Sequence, residues 1–204
     1  TVGSTPATGG QAEYKIKSGL GVGIFKNNPV SPQHTAGDDG YLQDAAAGTM
    51  DDGITGGAGW ATSTSNIQKL LGVFNGAFYI DNSTSKPTYA NSVAASTTFA
   101  KDYNTGSNDG IGFVNDNPMQ EYTTKCTAAA TQAQLLYTFN PQDGATAGTS
   151  EYGQSTVKLT NTGTATTAMF RIVRVANDPA NNDNSAVDSN VIVQMSPSAC
   201  KSNS

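Results

Sequence analysis

Charged residues are scarce in this chain of 204 residues, where Asp, Glu, Lys and Arg together make up 13%. Ordinary globular proteins carry roughly 25%, and here Gly, Ser, Thr, Asn and Ala take their place, which is typical of β-rich, turn-rich proteins. Eleven Lys and Arg against 16 Asp and Glu give a net charge of −5. Because this sign repels phosphate backbones and anionic membranes, we expect neither nucleic-acid nor membrane binding.

Histidine and cysteine are almost missing, with one His, His34, and two Cys, Cys126 and Cys200. Zinc sites need three or four such ligands, so an ordinary zinc enzyme is excluded. The two thiols are either small buried hydrophobes or one disulfide formed in an oxidising compartment. The reduced state is favoured, since a chain of this length needs no bridge to fold.

Long apolar runs are also lacking. No window approaches the roughly 20 apolar residues that span a bilayer, and Thr1–Gly10 does not have the charged-then-apolar layout of a signal peptide. Apolar residues instead alternate with polar ones in short segments, the pattern of half-buried strands. These segments are Tyr14–Ser18, Gly19–Phe25, Leu70–Ile80, Lys86–Tyr89, Ile111–Val114, Glu121–Cys126, Ser155–Thr160, Ala168–Val175 and Asn190–Met195.

The segments predict an all-β protein, a single β-sandwich or jelly-roll-like barrel over residues 14–204 with little helix. Leu70–Ile80 is the most hydrophobic segment and should form the centre of the core. The only predicted helix lies around Ala128–Leu136 and is one to three turns long, with Thr127 as its candidate N-cap. Residues 1–13 are small and polar, and we expect them to form an extended N-terminal arm, either flexible or bound to a neighbouring subunit.

Acidic residues are the main candidates for chemistry. Asp38-Asp39 and Asp51-Asp52 lie in glycine-flanked turns, where two carboxylates can serve hydrolysis or calcium binding. Aspartate is common in such turns for backbone reasons alone, so we interpret these pairs as solvated turn residues. Asp178, Asp183 and Asp188 share a polar loop, but their spacing does not match a calcium-binding EF-hand.

Other motifs point away from catalysis. His34 has no recognisable partner, no G-x-S-x-G nucleophile elbow occurs, and Gly53–Gly59 lacks the Gly-Lys-Ser/Thr ending of a phosphate-binding loop. We therefore predict no catalytic, cofactor-binding or metal-binding residues. Asn82-Ser83-Thr84 is an N-glycosylation sequon that chance explains, and Trp60 either anchors a partner or covers an edge of the core.

Several segments, taken in order, resemble a family of small virion proteins of tailed phages, many of them marine, that decorate or cement the capsid. The matching patches are Tyr14–Ile16 with Ser18–Leu20, Ile24-Phe25 with Asn28–Val30, Leu71–Gly76 with Phe78-Tyr79, Asn115–Pro118 with Glu121-Tyr122, Phe170–Ile172, and Asn190–Val193. The resemblance covers about Tyr14 to Val193 in sparse patches. The order and spacing of the patches carry it, since each patch is short.

The resemblance implies an all-β, non-catalytic protein without a cofactor, made in the host cytoplasm and placed on the outer surface of the virion head. Its partner is then the major capsid protein, and the family commonly forms homo-trimers. We expect the contacts in residues 1–12 and in the loops Gly37–Trp60 and Asn177–Asn184. Low surface charge suits this function, because few ions are desolvated when strands and loops lie on another protein.

The sequence is also compatible with other functions. A pilin-like subunit shares the composition and the late cysteine pair, although the long apolar helix of type IV pilins is missing. A tail-associated adhesive or carbohydrate-binding β-domain is also compatible. An enzyme ranks last, and its most plausible form is a two-carboxylate hydrolase.

Overall fold

The computed structural model describes residues 11–33, 40–45, 70–102, 106–141, 152–165, 168–177 and 183–196. These ranges contain antiparallel sheets and one short 3-10 helix, Gln132–Gln134, which confirms the all-β class. The strands are β1 (Gln11–Ile16), β2 (Ile24–Phe25), β3 (Pro29–Pro32), β4 (Leu42–Asp44), β5 (Gly72–Ile80), β6 (Pro87–Ala90), β7 (Ser92–Val93), β8 (Gly110–Asn115), β9 (Glu121–Lys125), β10 (Thr138–Pro141), β11 (Leu159–Ala165), β12 (Phe170–Val175) and β13 (Asn190–Met195).

The first sheet has six strands in the order β1-β8-β5-β3-β4, with β6 added to β5. β5 is its central strand, as the hydrophobic run from Leu70 predicts. The sheet curls, because its two end strands β1 and β4 approach one another. Asp109 helps to hold them there, since it accepts hydrogen bonds from Lys15 Nζ at 3.0 Å and from Tyr41 Oη at 2.9 Å.

The concave face of this sheet encloses the inner cluster of buried side chains. Its members are Ile16, Leu20, Ile24, Val30, Leu42, Leu71, Phe74, Ala77, Val93, Phe99 and Val114. Gly112 lets the sheet close over this cluster, because a Cβ there would overlap Leu42 Cδ1 and lie 3.0 Å from Ile16 Cδ1. The two-stranded ribbon of β2 and β7 covers the open end with Ile24 and Val93.

The second sheet has five strands in the order β11-β10-β12-β13-β9. Its buried residues form a separate intersheet cluster with three residues of the first sheet's side, Ala45, Leu70 and Val73. The other members are Cys126, Ala130, Phe139, Leu159, Met169, Phe170, Ile172, Val191, Val193 and Met195. The two sheets therefore pack face to face over part of the convex side of the first sheet.

The helix predicted around Ala128–Leu136 forms only as the one-turn 3-10 helix Gln132–Gln134, and the buried side chain of Asn161 holds the residues before it in another conformation. Its Oδ1 accepts from Ala128 N at 2.8 Å, and its Nδ2 donates to the carbonyls of Ala128 and Ala129 at 3.1 and 2.9 Å. The two carbonyls are groups that a helix over this segment would pair internally, so the bonds from Asn161 compete with it. Only the single 3-10 turn forms, where Thr131 N donates to Gln134 Oε1 at 3.1 Å.

Several boundaries differ from the sequence predictions. β1 begins at Gln11, so residues 11–13 of the expected arm pair with β8, and Gln11 faces Asn115. The segment Gly19–Phe25 forms a strand only at Ile24–Phe25. The structure also adds β4 inside the stretch interpreted as a loop and β10, Thr138–Pro141, which no pattern indicated. Within the described ranges, no helix has the length and hydrophobicity that a membrane span requires.

Candidate functional site

A cleft of about 720 Å³ lies between the two sheets. Its walls are the first sheet near β3 and β5, the edge strand β9, and the segment Ser155–Lys158 that leads into β11. Apolar side chains of both sheets line it together with hydroxyl and amide groups. The lining residues are Asn27, Pro29, Val73, Glu121–Lys125, Pro141, Ser155–Leu159, Phe170, Asn190 and Val193.

The far wall of the cleft is held by backbone hydrogen bonds at both of its ends. Lys26 pairs with Gln154 in an isolated bridge, and Ser155 N donates to Lys26 O at 2.8 Å. At the other end of the segment, Thr127 N donates to Leu159 O at 2.9 Å. Between these two anchors the segment and β9 diverge, and the space between them is the cleft.

β9 is the last strand in the order of the second sheet, and its outer edge faces this space at Thr123. Just past β9, Cys126 N donates to Ser189 O, beside β13, at 2.9 Å, and Cys126 forms a parallel bridge with Leu159 of β11 on the other side. In an antiparallel pair, the backbone N–H and C=O groups of successive residues point alternately toward the partner strand and away from it. In β9, the groups of Tyr122 and Thr124 point toward β13, and those of Thr123 point away from it. Among the residues that the structure describes, the N–H and C=O of Thr123 have no hydrogen-bond partner.

Two charged residues that line the cleft, Glu121 and Lys158, form ion pairs. Arg174 donates to both carboxylate oxygens of Glu121, at 2.9 and 2.6 Å. Lys158 Nζ lies 2.5 Å from Asp188 Oδ1, and this hydrogen bond lowers the pKa of the Asp188 carboxyl below its usual value. Tyr122 Oη donates to Asn115 O at 3.2 Å and so joins β9 to the first sheet.

The convex side of the first sheet carries a second candidate site. Strand register places five apolar residues on this side beyond the area that the second sheet covers, and we call them the open face. They are Phe78, Ile80, Tyr89, Ile111 and Phe113. Val73 lies on the same side but belongs to the intersheet cluster, so cover by the second sheet ends between Val73 and Phe78.

An aromatic pair dominates the open face. The rings of Phe78 and Tyr89 are 4.8 Å apart between centroids and tilted by 46°. Tyr89 is 77% exposed, on the edge strand β6. Glu13 and Lys15 of β1 border the face opposite Phe113 and Ile111. The result is an apolar surface with few charges, of the kind that packs on another molecule.

Cys126 is a free thiol, fully buried in the intersheet cluster. Burial raises the pKa of the thiol to about 11, so little of the reactive thiolate exists at neutral pH. This placement fits the prediction of a structural cysteine. Cys200 lies outside the described residues, as do His34, Trp60 and the acidic pairs at 38–39 and 51–52. Of the expected contact loops, residues 37–39 and 46–60 of Gly37–Trp60 and residues 178–182 of Asn177–Asn184 lie outside them as well.

The described acids of the late loop do not converge. Asp183 Oδ1 accepts from the backbone and hydroxyl of Ser185 at 2.9 and 2.6 Å, a local turn contact, and Asp188 pairs with Lys158. Asp178 lies outside the described residues. Within the described ranges, no group of three His, Cys, Asp or Glu residues is positioned to hold a metal ion.

The sequon Asn82-Ser83-Thr84 forms the exposed turn between β5 and β6. Asp81 Oδ1 organises this turn by accepting from the backbone and hydroxyl groups of Ser83 and Thr84. The Ser83 hydroxyl is the main cause of the fall in the pKa of Asp81 to about 2.

No sequence pattern indicated the cleft, because its walls come from strands that are distant in the chain.

Comparison of this chain with protein-family models, with curated proteins and with solved structures found no match.

Proposed function

We propose that this protein is a virion structural protein that binds the outer surface of an assembled phage head and stabilises it without catalysis. The observation that carries the proposal is the open face, one exposed and four half-buried apolar side chains that the described part of the second sheet does not cover, in a chain with few charges. Burying such a face on a protein shell gains hydrophobic free energy and desolvates few ions.

The proposed mechanism is thermodynamic. A protein that binds only the assembled shell stabilises that state by mass action, and several weak contacts per oligomer add through avidity. The partner in this proposal is the major capsid protein, and the oligomer is a homo-trimer on the capsid exterior. The resemblance of the sequence to capsid decoration proteins supports this choice of partner over other protein surfaces.

Immunogold labelling tests the location. Antibodies against this chain should label the heads of phage particles purified from its source, and labelling confined to tails or absent from particles would overturn the proposal.

A rebinding experiment tests whether the open face is the binding surface. Heads depleted of the chain should bind the Tyr89→Ser variant at least tenfold more weakly than the unchanged protein. Tyr152→Ser is the matched control, because Tyr152 is exposed to a similar degree outside the open face.

The aromatic pair also favours a second candidate, a carbohydrate-binding adhesive domain. An exposed tyrosine beside a second ring offers an apolar platform of the kind on which sugar rings pack. A glycan array probed with the labelled protein distinguishes the two functions. Binding to defined glycans that Tyr89→Ser abolishes would favour the adhesive function, and a blank array with retained head binding would favour the capsid function.

A further inference from the structure

We propose that the outer side of the second sheet binds an acidic segment of a partner protein. This side is opposite the intersheet cluster, and the proposal stands apart from the capsid function. Strand register assigns to it the residues that alternate with the buried ones of β9, β12 and β13, and we call them the basic face. They are Glu121, Lys125, Arg171, Arg174, Ile192 and Gln194.

The basic face has a charge opposite in sign to that of the whole chain. Lys125, Arg171 and Arg174 are cations and Glu121 is the one acid of the face, whereas the chain has 11 Lys and Arg against 16 Asp and Glu. Arg174 donates to both carboxylate oxygens of Glu121, so Arg171 and Lys125 are the cations in excess. Asp188 is close enough to Lys125 for their charges to interact, but it already pairs with another lysine. The basic face therefore favours a negatively charged partner.

Arg171 is the residue best placed to bind a carboxylate. It lies on the central strand of the second sheet, and its Nη2 donates to Gln194 Oε1 at 3.0 Å. Gln194 is itself held by a bond from its Nε2 to Met119 O at 3.3 Å. Within the described ranges, no carboxylate lies at ion-pair distance from the Arg171 guanidinium. An incoming Asp or Glu side chain supplies the charged acceptor with which a guanidinium forms its strongest hydrogen bonds.

The Arg171 side chain is also fixed before a ligand arrives. Its Nε is buried, although no acceptor reaches it, so the stem lies close against the sheet. The bond to Gln194 then sets the direction of the guanidinium. A side chain that is already ordered loses little conformational entropy on binding, which favours affinity.

An apolar residue between the cations favours a peptide over a phosphate chain. Ile192 is half-buried and lies opposite Arg174, on the side away from the cluster that holds its neighbours Val191 and Val193. An apolar side chain of a peptide can pack on Ile192 while carboxylates on either side of it reach the cations.

The separation of the two excess cations sets the length of the peptide. Arg171 and Lys125 are two strands apart across the sheet and four residues apart along it, which places them about 16 Å from one another at the usual strand spacing and rise. About five extended residues span this distance. Alternate residues of an extended peptide face one side, so Glu-Thr-Val-Thr-Glu turns two carboxylates and a valine toward the face.

NMR titration of the full chain with acetyl-Glu-Thr-Val-Thr-Glu-amide tests the proposal. The backbone signals of Arg171, Ile192 and Lys125 should shift and saturate. The control peptide, with both Glu replaced by Gln, should bind at least fivefold more weakly. Raising the salt from about 20 to about 200 mM should also weaken binding at least threefold, because it screens exposed charges. Equal binding of the two peptides would overturn the proposal.

Arg171→Gln tests the named cation. The substitution removes the charge and keeps a polar side chain, and it should weaken binding of the acidic peptide at least fivefold. Lys101→Gln is the matched control, because it removes the same charge from an exposed residue outside the second sheet, and it should bind as tightly as the unchanged protein. Unchanged binding by Arg171→Gln would contradict the assignment.

The titration of the unmutated chain keeps the test valid if Arg171→Gln does not fold, since shifts that map outside the basic face would overturn the proposal by themselves. A single-stranded oligonucleotide and phosphatidylserine vesicles test other anions. Neither should shift the Arg171 signal, and a response to either at least as strong as to the acidic peptide would mean that the partner is not an acidic protein segment. Rebinding to phage heads is a separate measurement, so failure of this inference and failure of the capsid proposal are distinguishable.

Discussion

Phe74 and Phe78 are the same residue type on the same strand, yet they have opposite environments. Phe74 is fully buried in the inner cluster, and Phe78 lies on the open face against Tyr89. Strict alternation would place residues four apart on one side of a strand. The register shift between Phe74 and Gly76 inserts one extra residue and sends Phe78 to the other side. One bulge therefore separates a core residue from a surface residue.

The largest expected effect is the loss of Phe74. Phe74→Ala should lower the free energy of unfolding by about 3–5 kcal/mol, because it leaves a cavity in a packed cluster. Phe78→Ala, the matched control, should cost about 1 kcal/mol or less, since its side chain is only half-buried. Urea unfolding measures both free energies. Equal losses would show that Phe74 and Phe78 do not differ in burial as the structure indicates.

The glycine that closes the inner cluster should come next. Gly112→Ala should destabilise the protein by about 1–3 kcal/mol, because the added methyl group meets Leu42 and Ile16. Gly21→Ala is the control, since no atom lies within 4 Å of a Cβ built there, and we expect a change within about 0.5 kcal/mol. Thermal unfolding compares them. A Gly112→Ala variant as stable as the control would mean that the sheet accommodates the added methyl group beside Leu42 and Ile16 without strain.

The contact between the two sheets should have a smaller effect. Tyr122→Phe removes the hydroxyl that donates to Asn115 O and should cost about 1 kcal/mol, the usual net value of one hydrogen bond. Tyr137→Phe, at an exposed residue, should leave stability unchanged. If urea unfolding gives the same midpoint for both variants, this bond does not hold β9 to the first sheet.

The smallest expected effect is a pH dependence at the turn beside the open face. The folded pKa of Asp81, about 2, is lower than its ordinary value of 3.8. The turn contacts therefore add stability that is fully present above pH 3.8 and is lost as the pH falls through about 2. Carboxyl titration by NMR should show this midpoint, and Asp81→Asn should remove the acid-dependent change. A midpoint near 4 would contradict the hydrogen-bonded turn.

Sequence patterns predicted most of the strands and failed where a buried polar side chain or a bulge decides the backbone. Alternation was enough for β8 and β13, because each strand keeps the same side buried along its whole length. It was not enough for residues 128–131, where Asn161 pairs the backbone from a distant strand. The candidate sites were even less predictable, since strand pairing across long separations builds both the open face and the cleft.

The sequence by itself determined the all-β class, the central position of β5 and the low surface charge, because these follow from local alternation and composition. Only the tertiary structure decided which apolar residues are buried. The second sheet covers Val73 and leaves Phe78 open, and the end of the second sheet leaves the backbone of Thr123 facing a cleft. The physical reason is that burial and backbone pairing depend on the neighbour that packs against a residue, and that neighbour comes from elsewhere in the chain.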